Sequence, residues 1–256
     1  MWLHLPLLAL LTFQAPIAAP IAARLQTPSN LKAQQVVSAA IAALGGDHYL
    51  QANERSGAGR LYAFDSTGQL ADPGTRFWSW QRFPSDERLE LTKQRNVIEI
   101  YRGGQGWEVT YKGVAPMLKK QLENYADRNA HSLDIILKTW AQDPRTLMLD
   151  LGLVQVDQAQ AEEVSFTTNA GDAATVDFSV TTHLPLRVSW RRDDAQTGGH
   201  YVESVIYGTW THIGAIAVPF TIDHFEGPQR QDQRFYDSMS FAPFPDSMFV
   251  PRELKH

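Results

Sequence analysis

Residues 96–112 read Asn96-Val97-Ile98-Glu99-Ile100-Tyr101-Arg102-Gly103-Gly104-Gln105-Gly106-Trp107-Glu108-Val109-Thr110-Tyr111-Lys112. Apolar and polar residues alternate on both sides of a glycine-rich break, which is the period of a strand and the punctuation of a hairpin. Closing the break over residues 103–106 sets Ile100 opposite Val109 and Ile98 opposite Tyr111, so the two apolar sets share one face. Glu99 and Tyr101 then share the other face with Glu108 and Thr110. The pattern predicts that one side of this sheet looks inward and the other outward.

The same period continues outward from this hairpin. Upstream, residues 57–64, 76–83 and 87–92 read as strands. Downstream, 164–168, 174–180, 186–192, 201–213, 216–225 and 234–241 form a second series. Pairing Val180 with Leu186 across residues 181–185 would set Phe178 against Val188 and Val176 against Trp190. Keeping Phe166 on that face requires an odd-length loop or a bulge at Gly171 in the turn before Ala174.

Two segments break the alternation. Over residues 29–44, Leu31, Val36, Val37, Ala40, Ile41 and Leu44 recur at helical spacing, with Thr27 or Ser29 placed to cap the start and Gly45-Gly46 to end it. Between the two strand series, residues 115–142 carry Met117, Leu118, Leu122, Tyr125, Leu133, Ile136, Leu137 and Trp140 at helical spacing. About ten strands in hairpin order with one helical insertion predict a mainly β chain with helices. The expected form is a half-open, strongly curved antiparallel sheet or barrel, because a long open sheet curls or splits.

A chain of 256 residues with 43% hydrophobic and 20% charged residues has enough apolar material for one sizeable core. A formal net charge of −5 offers no concentrated basic field, which argues against a nucleic-acid partner. The first 23 residues hold no Lys, Arg, Asp or Glu and run through Leu3, Leu5, Leu7, Leu8, Leu10 and Leu11 to the pairs Ala18-Ala19 and Ala22-Ala23. They read as a secretory signal peptide cleaved near Ala19 or Ala23, leaving residues 24–256 as one domain. His4 and the amino terminus stand there in place of the usual Lys or Arg. With no cysteine, the chain has no disulfide framework, thiolate metal site or thiol nucleophile.

No local motif of catalysis or phosphate binding occurs: no Gly-x-Ser-x-Gly, His-Glu-x-x-His or Gly-x-x-x-x-Gly-Lys. His183, His200, His212 and His224 lack ligand spacing, so no metal site and no cofactor is expected. The acidic neighbours Asp86-Glu87, Glu162-Glu163 and Asp193-Asp194 alternate faces on any strand and cannot act as an acid/base pair. Trp78, Trp80, Trp107, Trp140, Trp190 and Trp210 supply either core or ligand wall.

Beyond these patterns, the chain resembles a family. The features are the apolar N-terminus, the helix ending Ala42-Ala43-Leu44-Gly45-Gly46, the strand at 57–64 and Arg82-Phe83-Pro84-Ser85-Asp86-Glu87-Arg88-Leu89-Glu90. With Gly106-Trp107-Glu108-Val109, Leu184-Pro185-Leu186-Arg187-Val188 and Ile213-Gly214-Ala215-Ile216-Ala217-Val218-Pro219-Phe220, they are similar in order and spacing to periplasmic outer-membrane lipoprotein carriers and lipoprotein-sorting proteins, the LolA/LolB-like fold. The resemblance spans most of residues 30–250. It implies an open or half-closed barrel with the N-terminal helix and the helical insertion as a lid, receiving acyl chains of a lipid or lipid-modified protein in the periplasm. It also implies a lid-contacting arginine, for which Arg60, Arg76 and Arg82 are equal candidates.

On this basis the expected ligand walls are Leu89, Leu91, Ile98, Ile100, Trp107, Val109, Val176, Phe178, Val188 and Trp190 from the sheet, with Leu118, Leu122, Leu133 and Leu137 from the helices. Burial of each methylene would contribute ~0.8 kcal/mol. The expected function is a non-catalytic, monomeric periplasmic carrier, with transient membrane-protein partners left open. Two alternatives stand beside it: an envelope sensor or protein-interaction module with the same fold, and a lipid hydrolase with a dispersed site.

Overall fold

The computed structural model describes residues 28–193 and 198–254. The expected signal peptide, both of its cleavage points and Thr27 lie outside the described residues. Helix α1 (Pro28–Leu44) buries Ala33, Val36, Val37, Ala40 and Leu44, a single stripe at three- and four-residue spacing. Leu31, expected on that stripe, is 48% exposed because it stands two positions from Ala33 and so on the far side of the helix. The helix stops where the Gly46 N–H bonds the Ile41 carbonyl at 2.8 Å and both glycines take positive φ. A Cβ on Gly45 would come within 2.5 Å of the Ala215 carbonyl oxygen, so glycine also permits the close approach of the helix end to the last hairpins.

After the short helix α2 (Asp47–Gln51) come β1 (Glu54–Ala63), β2 (Thr75–Arg82), β3 (Asp86–Leu91), β4 (Val97–Arg102), β5 (Gln105–Thr110) and β6 (Gly113–Pro116). Helices α3 (Lys119–Ala130) and α4 (Leu133–Ile135) follow, α4 running on into a π-helical turn at Ile136–Trp140. The second series is β7 (Leu147–Val156), β8 (Ala159–Thr167), β9 (Ala173–Ser179), β10 (Pro185–Asp193), β11 (His200–Ile213), β12 (Ile216–Glu226) and β13 (Gln229–Ser240).

These strands make one 13-stranded sheet in the order β6-β5-β4-β3-β2-β1-β13-β12-β11-β10-β9-β8-β7, antiparallel throughout and not closed. Thirteen strands form where about ten were expected. The two outside the expected set, β6 and β7, are the two edges of the sheet. β6 takes its Ala115 and Pro116 from the start of the expected helical insertion. β7 is irregular, with a bulge between Asp150 and Gly152, and strands that pair on one side only carry a weaker alternation.

The hairpin registers also differ from the sequence expectation. Gly103 and Gly104, both at positive φ, form a two-residue turn that sets Arg102 opposite Gln105. Ile100 therefore faces Trp107 and Ile98 faces Val109. In the second hairpin Val188 faces Val176 and Phe178 faces Pro185, with an irregularity between Pro185 and Arg187 absorbing the remainder. The five-residue connection after Thr167 is odd in length and keeps Phe166 in line with Val176.

The chain leaves the sheet at one edge, β6, and returns at the other, β7, so α3 and α4 span the open side. This defines an inner face, covered by α1, α3 and α4, and an outer face. On the inner face, Phe166, Val176, Phe178, Val188 and Trp190 share one apolar cluster with Val37, Ala40 and Leu44 of α1 and with Leu133, Ile136, Leu137 and Trp140. On β4 and β5 the apolar side is reversed. Ile98, Ile100 and Val109 lie on the outer face, where Phe249 and the half-buried Phe244, Met248 and Leu254 of the C-terminal segment cover them. The residues between them, Glu99 and Tyr101, consequently point inward. Among the described residues, no helix is long and apolar enough to cross a membrane.

Candidate functional site

The inward polar residues of β2–β4 and β13 floor a cavity of about 380 Å³ roofed by α3. Its lining includes Gln81, Glu87, Leu89, Glu99, Tyr101 and Arg234 from the sheet and Gln121, Asn124, Tyr125, Arg128 and Asn129 from the helix. A second cavity of about 120 Å³ shares Gln81, Glu87, Tyr125, Asn129 and Ser132 with it and continues to the more apolar Leu44, Leu133, Ile135, Ile216 and Val218. The larger volume falls in the range of small-ligand pockets, whereas the smaller equals about four waters.

Helix α3 roofs the cavity without contributing a single buried residue. Near its start it approaches β5 at Gly106, where a Cβ would lie 2.6 Å from Leu122 Cδ2 and 2.9 Å from Met117 Sδ. At mid-helix, Tyr125 stacks on Tyr101 at 3.7 Å between ring centroids, and its hydroxyl donates to the Ser85 carbonyl at 2.8 Å. At its end, Arg128 Nε donates to Glu203 Oε1 at 2.7 Å, and Trp190 Nε1 donates to Asp127 Oδ2 at 3.0 Å.

Glu203 is the hub of this docking. It is fully buried and also meets Arg192 Nη1 at 2.8 Å and His224 Nε2 at 2.6 Å. Burial alone would raise its pKa, but the hydrogen bonds from His224, Arg192 and Arg128 outweigh burial and hold the carboxyl down to about 2. A second, half-buried carboxylate, Asp134 of α4, receives the Tyr49 hydroxyl at 2.9 Å and lies 3.5 Å from Arg55, fixing α4 to α2 and β1. The roof is thus fastened on either side of the cavity by charge-assisted bonds.

Glu99 is differently placed. Its only side-chain hydrogen bond among the described residues is a 3.4 Å contact from the Tyr101 hydroxyl, and burial, joined by the Glu87 carboxylate, raises its pKa.

The expected wall residues are not brought to one surface. Val176, Phe178, Val188, Trp190, Leu133 and Leu137 lie in the cluster already filled by α1 and the π turn. Ile98, Ile100, Trp107 and Val109 lie on the outer face under the C-terminal segment. Leu89 lines the cavity, Leu91 is half-buried beside the inner cluster, Leu122 abuts Gly106, and Leu118 is 72% exposed. Arg60, Arg76 and Arg82 bond to the Gly74 carbonyl, Asp237 and the Glu54–Asp246 pair respectively, and none of these contacts is with α3. The arginines that do bond α3 residues or belong to it are Arg192 and Arg128. Of the histidines, His224 enters the Glu203 hub while His200 bonds Asp193 at 2.6 Å on the surface. Sequence reasoning missed Glu99, Glu203 and Arg234. The signal available was a charged residue repeated on the same side of successive strands, Glu87, Glu99 and Glu108.

No family model matches the chain, and no curated protein matches it. Solved structures do. A LolA superfamily protein from Nitrosomonas europaea aligns with TM-score 0.54 at 12% identity, covering 85% of this chain and 97% of its own. A DUF1329 family protein from Desulfovibrio piger aligns with TM-score 0.56 at 12% identity, covering 85% and 96%. An outer-membrane lipoprotein-sorting protein domain from Vibrio parahaemolyticus aligns with TM-score 0.53 at 8% identity, covering 85% and 97%. These alignments run over nearly the whole length of the partners, and the chain has the LolA-like fold.

Proposed function

We propose that the protein is a non-catalytic binding or carrier protein for an amphiphile, a lipid or a lipid-modified protein, acting in the periplasm. In this reading residues 1–23 are a signal peptide and residues 24–256 a single exported domain. The observation that carries it is the roof: a helix with no buried residue, held by charge pairs above a ligand-sized cavity. A cover attached in this way separates from the sheet at less cost than one packed into an apolar core. The apolar inner cluster beyond the smaller cavity would receive acyl chain as Leu133 and Ile135 give way. The likeness of fold to a lipoprotein-sorting domain supports the same reading.

The test is lipid analysis of mature protein purified without detergent, together with uptake of a fluorescent fatty-acid probe by delipidated protein. One saturable site per chain is expected. Absence of both co-purified lipid and uptake would overturn the carrier reading and leave an interaction module with the same fold.

A further inference from the structure

The inner face carries an arrangement that costs stability in the free protein. Glu99 on β4 stands directly opposite Glu108 on β5, and Glu87 lies diagonally across on β3. Like charges directly opposite on paired strands repel. Glu99 has no ion-pair partner within 4.0 Å among the described residues. Of the cations that line the same cavity, Arg234 lies 3.8 Å from Glu87 and reaches Glu99 only at longer range, and Arg128 is held by Glu203 and Glu226. Glu108 is exposed at the rim while Glu99 lines the cavity, so a single negative track leads from solvent to the floor. The stacked pair Tyr101–Tyr125 stands beside it, and its outer ring surfaces offer π-electron density to a cation.

From this juxtaposition we infer that the larger cavity is a recognition site for an ammonium-bearing group, with Glu99 as its counter-ion and the Tyr101–Tyr125 pair as its wall. The inference rests on the binding-protein reading and deepens it: the preferred amphiphile is one whose polar end carries a primary amine. The volume of about 380 Å³ admits such a group with its neighbouring polar atoms. A free amine carries the same charge without the acyl chains, and the experiment separates the two sources.

Binding to delipidated protein is measured by calorimetry for three probes: dihexanoyl phosphatidylethanolamine, its N-acetylated derivative, and glycerophosphoethanolamine, which lacks acyl chains. Each is run against the natural protein and Glu99→Gln. The natural protein is expected to bind the free-amine lipid at least tenfold tighter than the acetylated one, and Glu99→Gln to reduce that preference below threefold. Because the comparison within the natural protein changes only the ligand, it decides the matter even if the variant folds poorly. Equal affinity for the two lipids overturns the ammonium site; the fatty-acid uptake then decides separately whether the carrier reading stands. Glu99-dependent binding of glycerophosphoethanolamine as tight as that of the lipid sustains the ammonium site and overturns the carrier reading.

Discussion

Glu203 and His224 share a 2.6 Å hydrogen bond between Oε1 and Nε2, buried where β11 meets β12 and where Arg128 of α3 docks. Because Arg128, Arg192 and His224 all converge on this one carboxylate, its removal leaves several donors without their acceptor. Glu203→Ala is expected to cost about 3–5 kcal/mol, the usual range when one partner of a buried ion pair is deleted. Urea unfolding checks the magnitude. A loss under 1 kcal/mol would mean that the hub is not what fastens α3.

The same hub gives the docking a pH window. Burial lowers the His224 pKa, but bonds to Asp232 and Glu203 outweigh it and leave the group above its ordinary 6.5. Its contribution is therefore complete below 6.5 and is lost as pH rises through the raised value. Glu203 behaves oppositely: held down to about 2, it contributes fully above the ordinary carboxylate value of 4.5 and is lost as pH falls toward 2. The hub is strongest between about 4.5 and 6.5. A melting series should show stability falling on the alkaline side, and His224→Gln should flatten that limb and also shrink the acid limb, because His224 is one of the donors that hold Glu203 down, while Arg192 and Arg128 keep part of it in place.

The outer cluster predicts a cost far from the cavity. Phe249 is 1% exposed over Ile98, Ile100 and Val109. Phe249→Ala is expected to destabilise by about 3–5 kcal/mol and to expose an apolar sheet face. Increased binding of a hydrophobic dye, read beside the melting temperature, checks both halves. Unchanged dye binding would show that the segment closes over the gap.

Gly59 sits where β1 meets β13, and a Cβ there would fall 2.1 Å from the Phe235 carbonyl oxygen and 2.9 Å from its carbonyl carbon. Backbone cannot swing aside as a side chain can. Gly59→Ala is expected to cost at least about 2 kcal/mol. Gly46→Ala, with nothing within 4 Å of the added carbon, isolates the effect of positive φ alone for comparison. Parallel denaturation curves of the two variants test whether contact at the β1–β13 join is the larger cost.

Much of the architecture could be read from residue patterns. Alternation around Gly103 gave the first hairpin, helical spacing gave α1, and the change of period between the two series placed the roof. The faces were harder. Ile98 and Ile100 are apolar, so alternation assigns them inward, yet alternation says only that two faces differ and not which one the rest of the chain covers. That was decided by Phe244 and Phe249, more than 130 positions downstream. The candidate site followed the same inversion: Glu99 and Tyr101, assigned outward by their polarity, line the cavity. Edge strands β6 and β7 stayed hidden because four residues, or a run broken by Gly152, hold too little period to register.

The join between β1 and β13 has a consequence in time. Every other pairing in the sheet links strands adjacent in the chain, while this one links its first strand to its last. Contacts so distant in sequence close late, since their loop entropy is met before they return any stabilisation. A chain emerging from its N-terminus therefore holds two incomplete half-sheets, β1 exposed along one edge, until residues 229–240 arrive. Pulse-labelled hydrogen exchange during refolding is expected to find the amides that bridge β1 and β13 protected together and last, after those that bond β1 to β2 and β13 to β12, and earlier protection of the β13-facing amides of β1 would show that another segment shields that edge in the meantime.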